Sequence, residues 1–127
     1  MPLVRIDLAK GKSAQFRKTL GDIVYKAMTD LINVPTDDKF QIITEHPPEE
    51  LNYAQSYLGI EHSAGLVLIQ ITLTVGRTVE AKQAFYKEIA EQIHAQLGIR
   101  KEDVFINLVE TAKENWSFGN GIAQYVV

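Results

Sequence analysis

The two halves of the chain repeat the same short motifs, and this internal repeat constrains the fold more than any other feature. At an offset of 65 residues, Gly-Lys-Ser at 11–13 matches Gly-Arg-Thr at 76–78, Asp38 matches Asp103 and Glu45 matches Glu110. Residues 3–6 match 66–69 at an offset of 63. The repeat predicts two copies of one unit, residues 2–45 and 65–110, in a single domain over 1–127 with a C-terminal ribbon over 111–127.

Within each unit, the hydrophobic pattern changes from the period of a strand to the period of a helix. Apolar residues alternate over residues 3–8 and then recur at steps of three and four residues. Ser13 and Thr78 are suitable N-caps for the two helices. Pro35 is expected to stop the first helix and Gly98 the second. Each unit is therefore predicted to be β-α-β, with both helices on one face of a four-stranded sheet.

The opposite face of this sheet has no predicted cover. A strand over residues 65–73 is apolar almost throughout, as expected for a strand that is buried on both faces. Large exposed apolar surfaces of soluble proteins are usually covered by a partner. We therefore expect a homo-oligomer.

Composition and charge exclude several classes of function. Thirteen basic and sixteen acidic residues give a net charge of −3 without any block of like charge, which argues against nucleic-acid or membrane partners. The chain has no cysteine, and its three histidines lack the spacing of metal ligands, so no metal site is expected. No apolar stretch is long enough to span a bilayer, and a cytoplasmic protein is the expectation.

Pro2 is the one feature that the repeat does not copy, because Gly65 stands at the equivalent position. If Met1 is removed, Pro2 carries a secondary amine whose reference pKa, near ~7.7–8.0, suits acid or base chemistry at neutral pH. The other interpretation is that Pro2 is merely a tolerated first residue of a strand. Asp38 likewise is either a turn residue shared with Asp103 or a catalytic carboxylate.

The Met-Pro-Leu start on a duplicated β-α-β chain of this length resembles the tautomerase superfamily. Three further groups of residues, which extend over nearly the whole chain, look like those of malonate semialdehyde decarboxylases. They are Val34-Pro35 with Asp38 and Phe40-Gln41-Ile42, Gly76-Arg77-Thr78 with Lys82-Gln83, and Trp116-Ser117-Phe118-Gly119 with Ala123-Gln124-Tyr125.

The resemblance implies an α+β fold with a mixed sheet, a homotrimer and a cofactor-free enzyme that acts on short oxo acids. It implies that the catalytic residues are Pro2, Asp38 and Arg77 and that the substrate-binding residues are Trp116, Phe118 and Gln41. An arginine can hold a substrate carboxylate through two parallel hydrogen bonds.

The same residues leave more than one activity open. A carboxylate such as Asp38 favours a cationic Pro2 that polarises an aldehyde, whereas desolvation favours a neutral base that moves a proton within an enol. Some malonate semialdehyde decarboxylases carry two arginines before the second helix, at the positions of Thr74 and Gly76 here. Because this chain has Asp38, decarboxylation is expected first, with enol–keto tautomerisation of a phenylpyruvate-type substrate and non-catalytic binding as alternatives.

Overall fold

The computed structural model describes residues 2–126, and the predicted α+β architecture is present in them. In chain order, the elements are β1 (Leu3–Ala9), α1 (Ala14–Leu31), β2 (Gln41–His46), β3 (Ser56–Tyr57), β4 (Ile60–Glu61), β5 (Val67–Thr74), α2 (Val79–Leu97) and β6 (Val104–Thr111). Strands β3 and β4 form a small separate hairpin. Within residues 2–126, neither helix is long and apolar enough to cross a membrane.

The strand order of the main sheet is β2-β1-β5-β6. Strands β1 and β2 are parallel, as are β5 and β6, whereas the central pair β1 and β5 is antiparallel. The sheet is therefore mixed, and it consists of two β-α-β units side by side. Because the central strands run in opposite directions, the starts of β1 and β2 lie at the same end of the sheet as the ends of β5 and β6. This line of strand ends is here called the front edge.

The repeat seen in the sequence extends to individual contacts. Each helix begins with a hydroxyl cap, and each unit has an ion pair between its helix and the end of its second strand. These contacts, all at an offset of 65, are Ser13 with Phe16 and Thr78 with Ala81 for the caps, and Arg17 with Glu45 and Lys82 with Glu110 for the ion pairs. The predicted caps are confirmed, and so is the end of α2 at Gly98, whose φ is +69°.

The first helix ends before Pro35, as predicted. It stops at Leu31, and Asn33 adopts a left-handed conformation with φ of +57°. This turn brings the Val34 N–H to the carbonyl of Met28 at 3.2 Å. Asparagine tolerates this conformation better than most residues, so the helix is already closed when the chain reaches the proline.

The core lies between the helices and one face of the sheet. Side chains from both units fill it, and the largest that are fully buried include Phe85, Ile6, Leu20, Met28, Ile69, Ile71 and Ile89. Fully burying one such side chain stabilises the fold by about 1.5–3 kcal/mol. This layer fixes the sheet and thereby the front edge, on which the candidate site is built.

The other face of the sheet is mixed in character. Strand β5 starts at Val67, and within a single chain it is buried on one face only. Its outward residues are Leu68, Gln70, Thr72 and Thr74. Ile42 of β2 and Phe105 and Val109 of β6 are further exposed apolar side chains. Ile42 is paired with the polar Arg5 and Phe105 with the apolar Leu68, so apolar and polar side chains are mixed on this open face.

Candidate active site

The front edge gathers four residues that are far apart in the sequence. Pro2 precedes β1 and Asp38 precedes β2, while Arg77 follows β5 and Trp116 follows β6. The strand directions place all four at the same edge of the sheet. The fold therefore assembles a site here from segments at the beginning, middle and end of the chain.

A cavity of about 260 Å³ opens beside Pro2 at this edge. Pro2 itself is buried. The residues that line the cavity are Pro2, Leu3, Phe40, Trp116, Ser117 and Phe118. The walls are mainly apolar and aromatic, so the cavity is suited to a small organic substrate.

Three aromatic rings of the C-terminal segment form a continuous wall. The rings of Trp116 and Phe118 are stacked with centroids 5.5 Å apart, and Tyr125 meets Phe118 edge-on at 5.0 Å. Within residues 112–126 the chain forms only short 3₁₀ turns and no strand, so the segment is not the extended ribbon that the sequence suggested. The aromatic wall is formed by packing of these turns.

Asp38 differs from its counterpart in the repeat. Asp103 is 1% exposed and accepts hydrogen bonds from both the N–H and the hydroxyl of Ser63. The half-buried carboxylate of Asp38 accepts no hydrogen bond from any residue among 2–126. The turn-anchoring role therefore describes Asp103, and the carboxylate of Asp38 is left available for chemistry.

Tyr125 is a site residue to which sequence reasoning assigned no role. Burial raises the pKa of its hydroxyl above the usual 10.0, and the nearby negative charge of Asp38 raises it further, while Arg77 lowers it. Its side chain is still 39% exposed. The hydroxyl thus lies in the field of both charged residues and stays protonated at neutral pH. The only signal in the sequence was the position of Tyr125 in the motif that follows Trp116.

Arg77 lies at the front edge but does not line the Pro2 cavity. Its Nε donates to the carbonyl of Ile32 at 3.0 Å and its Nη1 to the carbonyl of Thr74 at 2.8 Å. These bonds join the end of α1 to the end of β5. Two of the three guanidinium nitrogens are therefore already engaged, and the predicted fork onto a substrate carboxylate would have to share them.

Gln41 lies on the helix side of the sheet, which corrects its predicted place in the substrate pocket. Its register partner is Val4, whose side chain is in the core, and its Nε2 donates to the carbonyl of Gly21 at 2.8 Å. A Cβ at Gly21 would stand 2.5 Å from Oε1 of Gln41, so the glycine makes room for this contact. Gln41 attaches β2 to α1.

Comparison with known proteins shows the family to which the chain belongs. A family model described as tautomerase enzyme matches residues 38–119, and another with the same description matches residues 2–59. The chain belongs to the tautomerase family. It is 44% identical to the probable tautomerase YusQ of Bacillus subtilis (strain 168) over 126 residues, which are 99% of each chain. It is therefore an enzyme of the tautomerase superfamily.

Solved structures in the superfamily share the fold. FG41 malonate semialdehyde decarboxylase inhibited by 3-bromopropiolate has a TM-score of 0.89 and 39% identity, with 98% of this chain and 94% of that chain covered. A fused 4-OT, solved as a symmetric trimer, has a TM-score of 0.77 and 23% identity, with 94% of each chain covered. The second likeness concerns the fold alone.

Metal ligands are not gathered at the front edge. Over the described range 2–126, no three His, Asp or Glu side chains are grouped as they would be to hold a metal ion.

Proposed function

We propose that the protein decarboxylates a short 3-oxo acid, of which malonate semialdehyde is the simplest, through the amine of Pro2 after removal of Met1. The observation that carries this proposal is the aromatic cavity around buried Pro2, with the uncommitted carboxylate of Asp38 at the same edge of the sheet. The 39% identity to a malonate semialdehyde decarboxylase over almost the entire chain supports the choice of substrate.

In the proposed reaction, Asp38 keeps the proline amine protonated, because a nearby carboxylate favours the cationic form. The ammonium donates a hydrogen bond to the aldehyde oxygen of the substrate. The bond between the carboxylate carbon and C2 then breaks, its electron pair forms the C=C bond of an enol, and the aldehyde oxygen takes the proton from Pro2. Carbon dioxide leaves, and protonation of the enol at carbon gives the product aldehyde.

The aromatic walls strengthen this charge chemistry. Substrate bound against these walls displaces water from them. The ammonium then polarises the aldehyde more strongly than it could in bulk solvent. A covalent variant, in which the amine of Pro2 condenses with the aldehyde and the resulting iminium accepts the electron pair, uses the same residues.

The carboxylate end of the substrate needs a donor at the other side of the cavity. We assign this role to the hydroxyl of Tyr125, which is protonated at neutral pH and packs edge-on against Phe118. Arg77 contributes positive charge to the site. Its Nε and Nη1 are held by backbone carbonyls, and its Nη2 makes no hydrogen bond within residues 2–126. This arrangement replaces the bidentate arginine fork that was predicted.

Enol–keto tautomerisation is the second candidate, and the name of the 44% identical relative, probable tautomerase YusQ, favours it. It would use Pro2 as a neutral base. The deciding experiment is to assay Met-free protein, verified by intact mass, for carbon dioxide release from malonate semialdehyde and for ketonisation of phenylenolpyruvate. We expect the first activity to have the higher kcat/KM. The reverse order would favour the tautomerase, and loss of both would leave a binding protein.

A homotrimer is the assembly that we propose. The open face of the sheet carries exposed Ile42, Phe105 and Val109 beside the half-buried Leu68, and a fused 4-OT of the same fold is trimeric. Contact between copies of the chain would bury these apolar side chains and remove them from water.

Replacing Arg77 separates its bracing role from its charge. We expect Arg77→Ala to lower the free energy of unfolding by about 1–3 kcal/mol, because two backbone carbonyls lose a charged donor. Arg77→Lys is expected to be destabilised similarly, since an ammonium cannot reproduce the planar fork, but to keep kcat/KM within about threefold of the wild type. Urea unfolding and steady-state kinetics measure the two effects.

The surface variant Lys87→Ala removes one positive charge on the exposed side of α2 and is the control for both measurements. An unfolding midpoint of Arg77→Ala equal to that of the wild type would show that the two carbonyl contacts do not stabilise this edge.

A further inference from the structure

The aromatic wall of the site is built on a segment with little structure of its own. Residues 112–126 form two 3₁₀ turns of three residues each, and the backbone hydrogen bonds within the segment are local. Neither a sheet ladder nor a longer helix therefore fixes its path over the cavity. Its position must come from side-chain hydrogen bonds and from packing of its rings.

Gln124 closes the segment with both ends of its amide. Its Oε1 accepts from the N–H of Phe118 at 2.9 Å, and its Nε2 donates to the carbonyl of Gly119 at 2.8 Å. Gln124 thereby joins the part of the segment that carries Phe118 to the part that carries Tyr125, its neighbour in sequence. Phe118 and Tyr125, which these bonds bring together, meet edge-on at 5.0 Å.

Thr111 attaches the start of the wall to the sheet. Its hydroxyl accepts from the indole Nε1 of Trp116 at 2.8 Å and donates to the carbonyl of Leu73 at 3.2 Å. Thr111 is the last residue of β6 and is paired with Thr74 of β5. The indole is therefore oriented by a residue of the rigid sheet.

We propose that Thr111 and Gln124 are positioning residues for substrate binding, and we call them together the clasp. They hold Trp116, Phe118 and Tyr125 in the arrangement that encloses the Pro2 cavity, and they thereby set the affinity for a short oxo acid. The proposal rests on the proposed function for its substrate, whereas the structural role of the clasp does not depend on it.

The clasp is expected to act on KM. Side chains that contact the substrate equally in the ground state and in the transition state contribute the same binding energy to both. Displacing them therefore raises KM and leaves kcat nearly unchanged. A loss of global folding would instead lower the active fraction, and with it the apparent kcat, at constant KM. The split between the two constants therefore distinguishes positioning from general destabilisation.

The first test is Gln124→Ala, with Gln96→Ala as the matched control. Gln96 is an exposed glutamine near the end of α2 whose amide, within the described residues 2–126, makes a hydrogen bond only to Gln92. We expect Gln124→Ala to raise KM for malonate semialdehyde about tenfold, as for the loss of two ordinary hydrogen bonds, with kcat changed less than about threefold. Gln96→Ala is expected to match the wild type.

Trp116 provides a readout that needs no substrate, because it is the only tryptophan of the chain. In Gln124→Ala, its emission should shift to longer wavelength and its quenching by acrylamide should increase. Gln124→Glu keeps the acceptor for Phe118 but lacks the donor for Gly119 at neutral pH, so both KM and quenching should lie between those of the wild type and the alanine variant.

Thr111→Val and Thr111→Ser form a second, independent pair. Valine has the shape of threonine but cannot accept from the indole, so we expect greater quenching of Trp116 and a KM raised about fivefold to tenfold. Serine retains the hydroxyl and should restore both values.

The outcomes separate the clasp from the proposed function. If the wild type is inactive on both oxo acids but the quenching differences appear, the clasp holds and the proposed function fails. Unchanged quenching and unchanged KM in both Gln124→Ala and Thr111→Val would overturn the clasp, and so would a fall in kcat alone.

Discussion

Pro2→Ala, assayed without Met1, is expected to lower kcat/KM for malonate semialdehyde by roughly 10²–10⁴-fold, the range of a general acid–base group. The side chain of Pro2 is buried against an aromatic cavity, so its ring fixes the direction of the amine relative to the substrate. Alanine offers a primary amine on a mobile terminus, which keeps a basic group but loses that direction. Steady-state kinetics on protein of verified intact mass measure the change.

Two controls accompany this prediction. Pro48→Ala changes an exposed proline beyond the far end of β2 and should leave kcat/KM within about twofold of the wild type, as is usual for surface positions. Protein that retains Met1 has no free proline amine and should be as inactive as Pro2→Ala. Activity in the Met1-containing form would exclude the amine from the mechanism.

Asp38→Asn is expected to lower kcat/KM about 10²-fold, the lower end of the effect of a positioned acid–base group. The substitution preserves shape and removes the charge that is proposed to hold the amine of Pro2 in its cationic form. As pH rises, the variant should lose its activity at a lower pH than the wild type does, because an amine without a carboxylate neighbour loses its proton earlier. Asp37→Asn is the matched control, since Asp37 is exposed and, within residues 2–126, its carboxylate accepts a hydrogen bond only from Thr36.

The pKa of the Tyr125 hydroxyl tests independently whether the charge removed by Asp38→Asn lies at the proposed site. The negative charge of Asp38 raises the pKa of the Tyr125 hydroxyl, so its removal should lower that pKa. Difference titration of the tyrosine absorbance against a Tyr125→Phe background measures the shift. An unchanged titration, together with activity near that of Asp37→Asn, would remove Asp38 from the site.

Most of the fold was predictable from the sequence because its signals are local. Hydroxyl caps at Ser13 and Thr78, a glycine at position 98 and the change of hydrophobic period define the helices without reference to distant residues. Pro35 likewise predicted that α1 ends before it, and only the backbone path shows that Asn33 turns the chain ahead of the proline.

The candidate site was less predictable, because it depends on which partner each side chain finds. Alternation along β2 divides its residues between two faces but does not say which face is toward the helices. The pairing of Gln41 with Val4, and the space left by the missing side chain of Gly21, place Gln41 toward α1. Arg77 finds its acceptor at Ile32, 45 residues away in sequence, and no local pattern around either residue indicates that contact.

By itself, the sequence determined the duplicated β-α-β units and identified Pro2 as the residue without a counterpart, because repetition and periodicity are properties of the chain order. Only the tertiary structure decided that the carboxylate of Asp103 is engaged while that of Asp38 accepts no hydrogen bond within residues 2–126, and that Tyr125 packs against Phe118 in the field of Asp38 and Arg77. The physical reason is that equivalent positions in the two units have different neighbours. Hydrogen bonds and burial then assign one carboxylate to the fold and leave the other for chemistry.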